Sequence, residues 1–225
     1  MGKSRKSKDV RQDKLFLRNE FDGEDMWGIP IIHPVVINDT SVELVSFTDA
    51  KLSDKKNCHK YVHCFQDDYK LMQAYANPDS KIRDLARYRG VLTPDYSLYP
   101  EMPRFRQLES IAKSRYCGAH WQHYGLNVIP TVNWSDENSF DFCFLGLQRG
   151  GAVAVSTVSC QRDDRAFMRG YNQMMMTLEP STIICYGDRI PDMRGHIVCV
   201  DYLETTGRSK PWVDEEAMLV ETLAS

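Results

Sequence analysis

The sequence predicts an α/β protein of repeated strand–helix units on a mainly parallel sheet, barrel-like and of an incomplete TIM type, with an open three-layer α/β sandwich as the alternative. Two observations lead there. Short apolar runs stop abruptly in polar or aromatic residues, as in GVLTPDYSLYPEM at 90–102, where Val91 and Leu92 read as the end of a strand and Thr93, Asp95, Tyr96, Ser97 and Tyr99 do not all fit a core. Residues 128–136, 152–160 and 183–188 repeat that shape, which is how a parallel strand buried on both faces reads. The strand starts also fall roughly 25 to 37 residues apart, the size of a βαβ step.

Taken in order, the chain begins with a basic stretch. Residues 1–14 carry six Lys/Arg against two Asp, so a formal net charge of −3 for the whole chain leaves −7 on the rest. A tail of this kind is expected to be disordered and solvated, with phosphate contact as its other use, and its removal is expected to leave stability unchanged. The body is not a basic nucleic-acid binder. Gly23, Gly28, Pro30 and Pro34 then exclude a long helix, which predicts an extended segment clamped by Trp27, Ile29, Ile31 and Ile32. Residues 42–46 are strand-like, and TDAKLSDKKNCHK at 48–60 is a polar surface connection.

From Tyr61 the pattern becomes regular. A β-rich run at 61–65 ends in Gln66, Asp67 and Asp68; 69–76 is helical, and Pro78, Asp79 and Ser80 restart a helix that Gly90 ends. Pro103 opens a helix with a buried stripe at Phe105, Leu108, Ile111 and Ala112 that runs to Trp121 or Gly125. After the strand VIPTVNW, Ser135 is an N-cap for a helix holding Phe140, Phe142, Phe144 and Leu145. Gly150 and Gly151 break it, the AVAVST strand follows, and Asp163 or Asp164 opens a helix that buries Phe167, Tyr171, Met174, Met175 and Leu178. TIICYGD and 196–202 are the last strands, and WVDEEAMLVETLA forms a terminal helix.

Right-handed crossovers would bring all the strand carboxyl ends to one side of the sheet. An open sheet concentrates its site at one switch point, whereas a barrel draws on nearly every strand end. Five successive strands here end in polar or aromatic clusters, which favours the barrel, incomplete because only about seven strands can be counted against eight.

With 225 residues, 42% hydrophobic and 26% charged, the chain reads as one soluble α/β domain over 15–225, with its regular core at 61–202. It has no apolar run of the roughly 18 to 20 residues that a spanning helix needs, so no membrane association is expected. No apolar region follows the basic start, so it is not a secretory signal and the protein is expected in the cytoplasm. Seven cysteines from Cys58 to Cys199 are an odd number, and Cys64, Cys143, Cys185 and Cys199 sit in apolar surroundings that suit free thiols.

Asp95 and Asp67 stand at the ends of neighbouring strands, with Asp68 as the alternative to Asp67. Two carboxyls divide acid and base roles when their environments push their pKa values apart; the competing reading of Asp95 is an Asx-type turn. Substrate contacts are expected from Asp68, Thr93, Ser97, Tyr99, Thr131, Trp134, Ser156, Thr157 and Tyr186. In RYCGAHWQHY, Trp121 and Gln122 are suited to a planar ring such as a nucleobase, against the plainer reading of a packed helix end. His120 with His123, and Cys58, His59, His63 and Cys64, have no CxxC or HExxH spacing, and His63 and Cys64 point to opposite faces of a strand, so neither a metal nor a cofactor is expected. Ser156, Ser159 and Cys160 lack a nucleophile elbow, and Gly150 and Gly151 precede a strand instead of opening a helix, so they make no phosphate loop.

These residues suggest hydrolysis or transfer at a glycosidic or related bond of a nucleotide or nucleic-acid substrate, with Asp95 as nucleophile or base and Asp67 as its partner. The alternative is a non-catalytic factor that binds a host protein or a nucleic acid through the same face. LRNEFDGEDMWGIP, LTPDYSLYPEMP, RYCGAHWQHYG, VIPTVNW, SFDFCF, AVAVSTVSC and IICYG together resemble an uncharacterised domain-of-unknown-function family of bacteriophages, mobile elements and their bacterial hosts, over residues 15–202. The resemblance implies a phage or mobile-element context, hence a bacterial cytoplasm, and supplies no activity or catalytic residue.

Overall fold

Seven parallel strands, in sequence order, run through the computed structural model, which describes residues 13–158 and 164–201. β1 (Gly23–Glu24) and β2 (Ile29–Pro30) form a small antiparallel pair after the short helix α1 (Lys14–Leu17). β3 (Leu44–Ser46), β4 (Tyr61–His63), β5 (Gly90–Leu92) and β6 (Val128–Ile129) make one parallel sheet, and β7 (Ala152–Ser156), β8 (Thr182–Tyr186) and β9 (Ile197–Val200) make another. A parallel bridge between Thr131 and Ala154 joins them. There the Ala154 N–H donates to the Pro130 carbonyl at 2.9 Å and the Val132 N–H to the Ala154 carbonyl at 2.8 Å, so ladder bonding passes from one sheet to the next.

Side-chain alternation sorts each strand into two faces. Val62, Val91, Val128, Val153, Val155, Ile183 and Cys185 pack against the helices α2 (Asp68–Ala76), α3 (Ile82–Leu85), α4 (Arg104–His123) and α5 (Asp164–Leu178) in the larger core. On the other face Leu44, Tyr61, Leu92, Ile129, Ala154, Ile184, Val198 and Val200 share a second cluster with Ile37 and Val42. β4 and β8 come together at their carboxyl ends, where His63 stacks on Tyr186 with ring centres 5.1 Å apart. Each Val, Ile or Leu buried in the second cluster stabilises by about 1.5–3 kcal/mol.

The chain before β3 covers the amino-terminal ends of β7 and β8. The Ala152 N–H donates to the Val35 carbonyl at 2.6 Å, and the Thr182 hydroxyl to the Ile37 carbonyl at 3.2 Å. The strand carboxyl ends are left uncovered by that segment, which is where the loops of the cleft arise.

The expected helix after Ser135 is not formed; only a 3-10 turn, Glu137–Ser139, is present. Its cap is Asp136, whose carboxylate accepts from the Asn138 N–H at 3.0 Å. Phe140, Phe142 and Phe144 recur at every second residue, which no helix face accommodates, and the Arg115 guanidinium takes the carbonyls of Cys143 and Leu145 that a continuing helix would use. The α4 stripe holds at Ile111, which is fully buried, while Phe105 is 69% exposed because it lies in the first turn, beyond the sheet. Ile29 and Ile32 clamp the early segment as expected; Trp27 is exposed instead. Cys64, Cys117, Cys143 and Cys185 are buried free thiols, whereas Cys199 points outward from β9. Ser159, Cys160, Asp163, residues 1–12 and the expected terminal helix lie outside the described residues. Among the described residues, no helix is long and apolar enough to cross a membrane.

Candidate functional site

The loops after β4, β5, β6, β7 and β8 converge on a cleft of about 590 Å³ at the strand carboxyl ends, closed on one side by the first turn of α5. Of the residues singled out from the sequence, Asp67, Asp95, Ser97, Tyr99, Trp134, Ser156 and Tyr186 line it. Phe65, Asn133, Ser135 and Phe167 join them.

Two threonines lie beneath the cleft. Thr93 and Thr131, at the ends of β5 and β6, are buried and bonded to each other: the Thr131 N–H donates to Thr93 Oγ1 at 2.9 Å, and the Thr131 hydroxyl to the Thr93 carbonyl at 2.8 Å. Ser114 of α4 adds a third bond to Thr93 at 3.1 Å. These hydroxyls lock the two loops together and do not line the cleft. Thr157 is likewise buried and donates to the Asp188 carbonyl at 2.8 Å, tying the β7 and β8 loops.

Asp95 stands above this floor, half-buried. Burial pushes its carboxyl up to about 7, the neighbouring Asp68 carboxylate raises it further, and the hydrogen bond from Asn133 opposes them. Asp67 has the opposite fate. It is exposed at the start of α2 and paired with Lys70 at 2.7 Å, whose ammonium lowers its pKa. The two strand-end carboxyls are therefore separated electrostatically in the way an acid and an ionised partner require. Asp68 lies behind them and is held by Ser97.

The walls are aromatic. Phe65 and Tyr186 stack with ring centres 4.8 Å apart and planes 5° from parallel, and Trp134 meets Phe167 at 5.1 Å. The start of α4 braces the rim: the Ser135 hydroxyl donates to Gln107 Oε1 at 2.7 Å, while Gln107 Nε2 donates to the Tyr99 and Met102 carbonyls.

Trp121 and Gln122 are placed away from this cleft, near the carboxyl end of α4. Trp121 is fully buried, its indole N–H donating to the Pro78 carbonyl at 3.3 Å and its ring stacked on Phe47. Gln122 holds the His33 backbone through both ends of its amide. Their placement matches the plainer reading of a packed helix end.

Asn133 and His63 were missed as parts of this region. His63 is 1% exposed and stacks on Tyr186 at 5.1 Å. Its Nδ1 accepts from the Phe65 N–H at 3.3 Å, which places the proton on Nε2, and that atom is buried without a partner among the described residues. Burial pushes this imidazole down to about 4, against the pull of Asp49. The signal for it was the alternation that sets His63 on the same inner face as Tyr61. Among the described residues, no group of three or more His, Cys, Asp or Glu is arranged to hold a metal ion; His120 is engaged with Asp79 at 2.7 Å.

The model of the family described as Domain of unknown function (DUF4417) matches residues 21–203. The chain belongs to this family. Among curated proteins it resembles the Gene 1 protein of Mycobacterium phage L5, 32% identical over 178 residues that cover 78% of this chain and 77% of the relative. It also resembles the Gene 1 protein of Mycobacterium phage D29, 34% identical over 129 residues, 56% of this chain and 48% of that protein. No solved structure matches it.

Proposed function

We propose that the cleft is the active site of an enzyme that hydrolyses or transfers a glycosidic or related bond of a nucleotide or nucleic-acid substrate, on a row of strands curled into an incomplete TIM-type barrel, in the cytoplasm of a phage host. The observation that carries this reading is a half-buried carboxyl, Asp95, raised to about 7 in an aromatic-walled cleft. A carboxyl that is about half protonated at neutral pH suits the acid half of such a reaction, in place of the nucleophile or base expected from the sequence, giving its proton to the departing ring nitrogen or oxygen as the bond to the sugar breaks. Asp67, kept ionised by Lys70, is the partner that draws the proton from an attacking water or hydroxyl and balances positive charge on the sugar. Phe65, Tyr186, Trp134 and Tyr99 offer faces on which a base stacks.

A second reading, a non-catalytic factor for a host protein or nucleic acid, draws on Tyr69, Met72, Tyr99 and Phe105, which leave 58–69% of their surface exposed on the α2 and α4 side of the molecule. Turnover separates the two. Wild type and Asp95→Asn, a nearly isosteric change without the ionisable group, are compared against pools of nucleosides, nucleotides and short nucleic acids. Release of free base by wild type and its loss in Asp95→Asn supports the enzyme. Full activity in Asp95→Asn on a substrate that wild type turns over would make Asp95 structural and remove the assignment.

A further inference from the structure

Asn133 gives both protons of its amide to protein oxygens. Nδ2 donates to Asp95 Oδ1 at 2.8 Å and to the Tyr96 carbonyl at 2.8 Å. A carbonyl oxygen only accepts, so the amide cannot be turned round, and Oδ1 is left as an acceptor on a residue that lines the cleft. Asp95 is placed in the complementary way. Its Oδ1 is taken up by Asn133, which leaves Oδ2 to carry the proton of the neutral acid. An O–H donor and a C=O acceptor therefore line the same cleft as the Phe65–Tyr186 stack and the Trp134–Phe167 pair.

We infer that the cleft reads an amidine edge, a ring nitrogen next to an exocyclic amino group as in adenine or cytosine, through Asp95 and Asn133. The ring nitrogen accepts from Asp95 while the amino group donates to Asn133 Oδ1, and the ring lies on the aromatic walls. Hypoxanthine, a 6-oxopurine without an amino group, offers the reverse pattern at positions 1 and 6: its carbonyl oxygen would face the Asn133 carbonyl and its N–H would face the Asp95 O–H. On its N7 side the same carbonyl again opposes Asn133. Buried polar groups left without partners are what give such a site its discrimination. The inference rests on the proposed nucleoside-type substrate and names its base.

The test is direct binding, which needs no turnover. Isothermal titration of wild type with adenosine, cytidine, purine riboside and inosine slightly below neutral pH is expected to give adenosine or cytidine the lowest Kd, about tenfold or more below purine riboside and inosine. Purine riboside lacks only the amino group, so it reports the Asn133 bond without any mutation. Asp95→Asn should keep the preference, because its amide N–H replaces the acid O–H as donor, and lose turnover. Asn133→Leu should bind adenosine and purine riboside alike; should this variant fail to fold, the wild-type series decides. Inosine bound by wild type as tightly as, or more tightly than, both adenosine and cytidine overturns the edge reading and leaves the nucleoside reading standing. Binding of none of the four overturns both.

Discussion

The Asp68 carboxylate accepts from both the backbone N–H and the hydroxyl of Ser97, each at 3.1 Å, and so a negative charge at the start of α2 is held against the loop that carries Asp95. Asp68→Asn keeps an acceptor for Ser97 and removes the charge. The Asp95 pKa is then expected to fall from about 7 toward the ordinary carboxylate range, stopping short of it because burial, the larger cause, remains. A carbon-detected NMR titration of the Asp95 side chain checks this; an unchanged midpoint would mean that the Asp68 charge does not reach it.

Asp95 should lower stability at neutral pH. Its carboxyl titrates near 7 in the native protein against 3.8 when unperturbed, so between those values the native state holds a proton that the unfolded state has lost. Stability contributed by the neutral acid is therefore complete below about pH 4 and falls as pH rises through 7. Asp95→Asn removes this dependence. It is expected to be more stable than wild type by about 2 to 4 kcal/mol at about pH 8 and nearly equal at about pH 3.5, read from urea unfolding at both. A difference between variant and wild type that does not shift in the variant's favour from about pH 3.5 to about pH 8 would show that the native protein does not favour the neutral acid.

Gly170 exists to admit Trp134. A Cβ built on it would lie 2.2 Å from the indole Nε1 and 2.3 Å from Cδ1. Gly170→Ala must push the indole off α5, at a cost of about 1–3 kcal/mol for overpacking, and move one wall of the cleft. A lower melting temperature, a shift in tryptophan emission and weaker nucleoside binding are expected together. Trp134→Phe in the same chain should recover most of the stability, and absence of any recovery would place the strain elsewhere.

The seven strands were legible because a parallel strand buried on both faces leaves the same mark each time: Val91 with Leu92, Val128 with Ile129 and 183–185 are short apolar runs with a polar stop. The ends of those runs named seven of the sixteen described residues that line the cleft: Asp95 and Ser97 belong to neither core, while Trp134 packs on the larger cluster and Tyr186 belongs to the second, each lining the cleft as well. Thr93 and Thr131 had the same look and a different use, because a hydroxyl can be buried once another hydroxyl or a carbonyl satisfies it. Trp121 was ambiguous in sequence because a helix end and a ligand wall ask for the same residue type. Asn133 was illegible. Its role depends on the Tyr96 carbonyl, 37 residues away in the chain, and no local pattern announces such a partner.

Arg115 ties the site to the body of the fold. Its guanidinium is fully buried, and it donates from Nε to the Leu145 carbonyl at 3.0 Å, from Nη1 to the Thr131 carbonyl at 3.2 Å and from Nη2 to the Cys143 carbonyl at 2.8 Å. Burial lowers its pKa to about 10, so it stays charged at neutral pH. The guanidinium thus replaces the helix that 135–145 does not form, and it fixes the strand end two residues before Asn133. Replacing a buried ion pair by apolar groups can be neutral when both partners go, but here the three carbonyls would remain. Each acceptor left dry costs about 1–3 kcal/mol, so Arg115→Met is expected to lose on the order of 3 kcal/mol or more and to loosen the Asn133 loop. Arg115→Lys should recover little, because one ammonium on a single stem cannot match the planar fork that reaches all three. Chemical denaturation of both variants, with hydrogen exchange at the Val132 amide, measures this; a stable Arg115→Met with an unchanged Val132 exchange rate would show that the loop is held by the Thr93–Thr131 pair alone.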